Sequence, residues 1–210
     1  MRLTKFQHAC CVVEKDGNSV VVDPGNLTHD FIMPKHVAAV FITHAHPDHL
    51  DNQLVITILR ANPKAILLAN ETILADYKNE NTQVVSVGET VDAGGMRLKF
   101  VGGTHEPIDI AIPTPPNMGV VIEDHLYYPG DSYFAPEQTI TELLLPVSAP
   151  WLTIGKAMDL VRTLKPTNVF PTHDAMLSAE GQAFIDNLAT KITASLNTSY
   201  QRINGKTVQL

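Results

Sequence analysis

Near the N-terminus the apolar positions alternate with polar ones in short runs, and further along the period lengthens to that of helices. Residues 3–8, 9–14 and 19–22 read as strands, with Asp16-Gly17-Asn18 as turn chemistry between the last two. Asp23-Pro24-Gly25 forces a turn at the end of the third strand, and residues 26–37 carry no regular period. The apolar run Ala38-Ala39-Val40-Phe41-Ile42 predicts a buried strand. A helix is expected over about 49–61, with Leu50, Leu54, Ile58 and Leu59 on one face and Pro63 as its stop. A strand at 65–69, a short helix at 71–78 and a strand at 83–87 continue the strand–helix alternation of an α/β layer.

A second β-rich stretch begins at Glu89. Ala93-Gly94-Gly95 turns one strand into the next, at 96–101, and a loop with four prolines then runs to Asn117. In that loop Ile108, Ile110 and Ile112 have period 2, so an extended course would put them on one side. Residues 118–123 and 126–128 read as a hairpin leading into Pro129-Gly130-Asp131-Ser132. A short strand at 143–146, a helix at 153–164, a strand at 168–170 and a helix at 179–195 follow, and 200–203 with 207–210 would close the chain as a hairpin around Asn204-Gly205. The halves are alike, strands first and then alternation, and no linker separates them. One α/β (α+β) domain over residues 1–210 is the economical expectation.

The candidate chemistry is concentrated in Thr43-His44-Ala45-His46-Pro47-Asp48-His49, where four metal-capable groups fall within six residues. The cluster follows a buried strand and precedes a helix, the place where α/β folds put their ligands. His44 and His46, two apart, would share one side of an extended segment, while Asp48 and His49 lie beyond the bend. That spacing suits two adjacent ions better than one. Imidazole and carboxylate suit zinc first, with manganese or iron as alternatives. The competing reading is a polar helix-entry loop capped by Asp48.

Bulk properties narrow the setting. With 210 residues, 44% of them apolar, the chain can bury a sizeable core. A net charge of −7 without a basic block weighs against nucleic acid and leaves a small molecule as the expected partner. The longest apolar runs fall short of the roughly 18 residues a membrane span needs, and Met1-Arg2-Leu3-Thr4-Lys5 does not open a signal peptide. The only cysteines, Cys10 and Cys11, are neighbours and would face opposite ways on a strand, which fits a reducing cytoplasm.

His44, His46, Asp48, His49, His105, Asp131 and His173 together resemble the signature of the metallo-β-lactamase fold superfamily: His-x-His-x-Asp-His, then a distant His, Asp and His on loops after strands. Asp23 matches the family's orienting Asp. The resemblance implies a four-layer αββα sandwich of two similar halves. It also implies a dinuclear centre, with His44, His46 and His105 on one metal, Asp48, His49 and His173 on the other, Asp131 bridging, and Asp48 and Asp131 as the catalytic carboxylates. The implied function is a metal-dependent hydrolase that uses a metal-bridging hydroxide on a small ester, lactone or phosphoester. Gln7-His8-Ala9 and the bare length look most like the small metal-dependent hydrolases that include ascorbate-6-phosphate lactonase. Asp rather than Cys at 131 departs from one subclass of true β-lactamases, and His rather than Glu at 46 departs from the flavodiiron oxidoreductases. A single-iron oxidoreductase similar to sulfur dioxygenases, or a non-catalytic metal-binding protein, are the alternatives. His8 is open between a core or rim histidine and a substrate contact. Tyr133, Phe134 and Trp151 are open between pocket and packing, and His29, His36 and His125 read as solvated.

Overall fold

The computed structural model describes residues 1–78 and 80–210. The first half contains β1 (Arg2–Lys5), β2 (Cys11–Lys15), β3 (Asn18–Val22), β4 (Val37–Phe41), α1 (Asn52–Ala61), β5 (Ile66–Ala69), α2 (Glu71–Leu74) and β6 (Thr82–Val84). The second contains β7 (Thr90–Ala93), β8 (Met96–Thr104), β9 (Pro116–Ile122), β10 (Leu126–Tyr128), β11 (Glu142–Pro146), α3 (Ile154–Leu164), β12 (Asn168–Thr172) and α4 (Ala179–Ala194), followed by β13 (Ser199–Tyr200) and β14 (Lys206–Gln209).

These strands form two seven-stranded sheets, ordered β14-β1-β2-β3-β4-β5-β6 and β13-β12-β11-β10-β9-β8-β7. In each sheet antiparallel pairs give way to parallel ones, β3 through β6 in the first and β10 through β13 in the second. Alternation along the strands sorts the apolar side chains between two faces. Val13, Val20, Val22 and Phe41 of the first sheet meet Leu98, Phe100, Val120 and Ile122 of the second in a shared central core. The rings of Phe41 and Phe100 sit 4.9 Å apart across it. Truncating either ring would cost about 3–5 kcal/mol. The outer faces, with Val12, Val21 and Val40 on one side and Val121, Leu143 and Leu145 on the other, are covered by α1 with α2 and by α3 with α4. The result is the expected αββα sandwich. Cys11 faces the central core and Cys10 the helical layer, both buried and unbonded.

Two local expectations are corrected. Residues 46–50 form a tight turn, with the His49 and Leu50 amides donating to the His46 carbonyl at 3.0 and 2.9 Å. Helix α1 therefore starts only at Asn52, and its N-cap is Asp51, whose carboxylate accepts the Gln53 and Leu54 amides. Asp48 is left free of capping. At the C-terminus the turn at Asn204-Gly205 joins two different sheets. Tyr200 pairs with Val169 of β12, whereas β14 pairs antiparallel with β1, Leu3 opposite Val208. Each segment completes a sheet edge, which satisfies more backbone groups than a two-stranded hairpin would.

Candidate metal centre

All seven signature residues follow strand ends and meet where the two sheets face each other. The loop after β4 is shaped by the turn after β3. Buried Asp23 accepts the Thr43 amide at 2.8 Å and the Thr43 hydroxyl at 2.7 Å, and its Oδ2 lies 2.7 Å from His49 Nδ1. Gly25 lets that turn lie against the signature, because a Cβ there would sit 1.8 Å from the Asp48 carbonyl oxygen. The Asn26 amide donates to the Pro47 carbonyl at 2.8 Å and the Asp51 amide to Pro24 at 3.0 Å. On the other side Asn117, fully buried, accepts the Asp131 amide at 3.0 Å and donates to the Pro129 carbonyl at 2.9 Å. Gly130 has φ +63° and would place a Cβ 2.3 Å from Asn117 Oδ1, so that corner admits only glycine.

The ligand-capable atoms fall into two groups. Those of His44, His46, His105 and Asp131 lie within 4.8 Å of one another, and so do those of His8, Asp48, His49 and His173. Asp131 reaches both. Its Oδ2 lies 3.2 Å from His105 Nε2 and 3.1 Å from His173 Nε2, and its Oδ1 lies 3.1 Å from His49 Nε2. His44 Nε2 is 3.9 Å from the same carboxylate. The seven expected residues are thus brought together, and His8 joins them. His29 and His36 are exposed, and His125 lies beside the Glu123 carbonyl.

The donor set fits a divalent metal. His49 Nε2, His105 Nε2, His173 Nε2 and Asp131 Oδ1 are buried and make no hydrogen bond. Buried polar atoms rarely stay unpaired, and four of them aimed at one small volume are what a cation would satisfy. The electrostatics agree. Burial works against charge on His173, but Asp131 outweighs it and pushes that pKa up to about 9. His49 is likewise raised well above the ordinary range, where burial is overcome by Asp131 and Asp23. Burial opposes ionisation of Asp131 too, yet His49 and His173 hold it well below the usual carboxylate range. Asp48 is similarly held low, chiefly by His173 and His8 against burial. Positive charge is favoured here, and a bound ion supplies it without the protons.

Three residues that sequence reasoning left open are now placed. Trp151 is buried, donates Nε1–H to Asp131 Oδ2 at 3.1 Å, and sets its ring edge-on to His105 at 5.7 Å. Tyr133 packs against Trp151 at 5.3 Å, and its hydroxyl accepts the Thr153 amide at 3.0 Å. His8 is fully buried, with its Nε2 2.9 Å from Asp48 Oδ2. A groove of about 310 Å³ is lined by Gly103, Thr104, Glu106, Ser132, Tyr133 and Phe134, among them the chain neighbours of His105 and Asp131 though not those residues themselves. A larger cavity of about 570 Å³, at His36, Asn62 and Gly94 near the start of β4, contains none of the clustered groups. The loop after β8 does not run extended. A turn closes at Asp109, whose carboxylate accepts the Ala111 amide at 2.8 Å and whose carbonyl accepts the Ile112 amide at 3.0 Å, and the three isoleucines are exposed.

Comparison with known proteins places residues 2–173 within a family described as the β-lactamase superfamily domain. Protein Rv0786c of Mycobacterium tuberculosis is 32% identical over 200 residues, covering 93% of this chain and 94% of that protein. A UPF0173 metal-dependent hydrolase of Ignicoccus hospitalis is 27% identical, covering 82% of each. Among solved structures, Igni18, a metallo hydrolase from the same archaeon, superposes with a TM-score of 0.75 over 100% of this chain and 98% of its own, at 21% identity, which speaks for the fold alone.

Proposed function

The chain belongs to the β-lactamase superfamily, and on that premise we propose that it is a hydrolase with two divalent metals, zinc first, that cleaves a small ester or lactone. The observation that carries the reading is the set of four buried, unbonded ligand atoms converging from both halves of the fold. In the proposed arrangement His44, His46 and His105 would hold one ion, Asp48, His49 and His173 would hold the other, and Asp131 would be shared by both. Two ions so held supply Lewis acidity and lower the pKa of a water molecule toward neutrality.

The chain's own residues do the rest. Asp23 and Thr43 keep His49 and His44 turned inward, and the Trp151 N–H holds Asp131 Oδ2. His44, His49, His105 and Asp131 are buried, whereas His46 and Asp48 are half-buried, so substrate approaches from their side. The groove at Tyr133 and Phe134 is suited to the organic part of the substrate.

An uncharged ester or lactone is favoured over a phosphodiester. Of the two cations expected near the loops, Lys35 lies by Ser19, at the end of β3 remote from Asp23. Lys156 sits 3.9 Å from Glu106 and over the Tyr133 ring, so its charge is already partly answered. Zinc-loaded protein assayed on matched panels of lactones, carboxylic esters and phosphodiesters should turn over the first two classes faster. A clear preference for phosphodiesters would overturn the substrate assignment.

A further inference from the structure

The hydrogen bonds on the imidazole rings divide the histidines of the centre into two kinds. His105 Nδ1 and His173 Nδ1 each lie 2.5 Å from a carbonyl oxygen, of Glu106 and Ser148. His49 Nδ1 lies 2.7 Å from Asp23 Oδ2. His44 Nδ1 lies 2.9 Å from the Thr43 hydroxyl, whose own hydrogen is committed to Asp23. Carbonyl and carboxylate oxygens only accept, and the Thr43 oxygen has only its lone pair left to offer. In all four rings a proton is therefore on Nδ1, which leaves Nε2, the atom turned toward the centre, as the one position that can offer a lone pair to a metal.

His8 is the reverse. The backbone amide of Ala175 points at its Nδ1, at 3.3 Å. An amide N–H only donates, so this Nδ1 carries the lone pair and the proton resides on Nε2. That Nε2 lies 2.9 Å from Asp48 Oδ2. A protonated nitrogen has no lone pair for a metal, although its position alone would qualify it as a fourth group beside Asp48, His49 and His173.

We propose that His8 is not a metal ligand but a positioning residue that donates to Asp48 Oδ2 and so fixes which carboxylate oxygen faces the metal. It mirrors Asp23. Asp23 accepts from one member of this ligand group, His49, and His8 donates to another, Asp48. Its backbone helps in the same task, because the His8 carbonyl accepts the His173 amide at 3.0 Å. His8 adopts φ 60°, a left-handed conformation that L-residues seldom take, and this turns ring and carbonyl toward Asp48 and His173 together. The inference deepens the metal-centre reading and rests on it.

Long-range 1H–15N correlation on the imidazole rings tests it in the native chain, metal-free and with zinc. His8 should show a protonated Nε2 in both states, while His44, His49, His105 and His173 keep a proton on Nδ1 and show an Nε2 that shifts when zinc is added. A bare His8 Nε2 that shifts with zinc would make it a ligand and overturn the proposal. If no ring responds to zinc, the metal-centre reading fails, and the His8 tautomer is still read in the metal-free spectrum. Variants give an independent measure. His8→Leu should weaken zinc binding by about 10–100-fold, while His8→Gln, which carries an amide donor at similar reach, should stay within about 3-fold of the native chain. Equal losses in both variants, or none in His8→Leu, would also overturn it.

Discussion

Asp131 meets three demands at once. It accepts the Trp151 indole N–H, it lies within 3.2 Å of three imidazole nitrogens, and its amide is held by Asn117. Because it touches both groups of ligands, Asp131→Ala should lower metal content and turnover together, by about 10–100-fold in affinity. Full occupancy with full turnover would show that the two groups do not share it. Asp174, the next residue after His173, makes a different demand. It is fully buried with Lys5 at 3.1 Å, and Arg202 and Asn204 bond its other oxygen. Asp174→Ala would strand the buried Lys5 charge and should cost about 3–5 kcal/mol in denaturant unfolding. Lys5→Met should cost less, since Asp174 keeps Arg202 and Asn204. The opposite ranking would contradict this account of the pair. The clustered groups were legible in the sequence: 44–49 as a dense local motif, and His105, Asp131 and His173 through the family pattern of single residues after strand ends. Among their supports Asp23 was legible through the same pattern, but the others were not. Asn117 and Trp151 act on a residue 14 and 20 positions away, His8 on one 40 away, and Lys5 on one 169 away. Nothing local in the sequence marks such pairs.

At the scale of elements, the proline-rich loop between β8 and β9 shows how period misleads when a side chain competes for the backbone. Ile108, Ile110 and Ile112 alternate as in a strand, yet Asp109 captures the Ala111 amide and bends the segment into a turn. Ile110 is fully exposed and Ile112 nearly half exposed, so they do not cap the core. Replacing both with Ser should leave stability within about 0.5 kcal/mol and metal content unchanged, while altering relative rates across an ester and lactone panel. Unchanged preferences would remove the loop from substrate selection. The C-terminal strands teach a related lesson. The turn residues Asn204-Gly205 were read correctly as a turn, with Gly205 at φ 68°. Which partners the flanking strands choose depends on the sheet edges available, and those are set by β1 and β12 far away in sequence.

At the scale of the molecule, two sheets of opposite halves share one core and each brings strand ends to the same place. The first contributes His44, His46, Asp48 and His49, and the second His105, Asp131 and His173. The layer order followed from strand–helix alternation and the family resemblance, and the shared core explains why the centre is held from both sides. Among the described residues no helix is long and apolar enough to cross a membrane. The central claim is that both ligand groups hold an ion and that the pair is needed for hydrolysis. Its most direct test is elemental analysis of the protein after zinc loading and desalting, paired with lactone and ester turnover before and after chelation. The account predicts close to two ions per chain, turnover lost on chelation, and turnover regained when zinc is returned. One ion or fewer after loading, or hydrolysis that persists once the metal is gone, would contradict it.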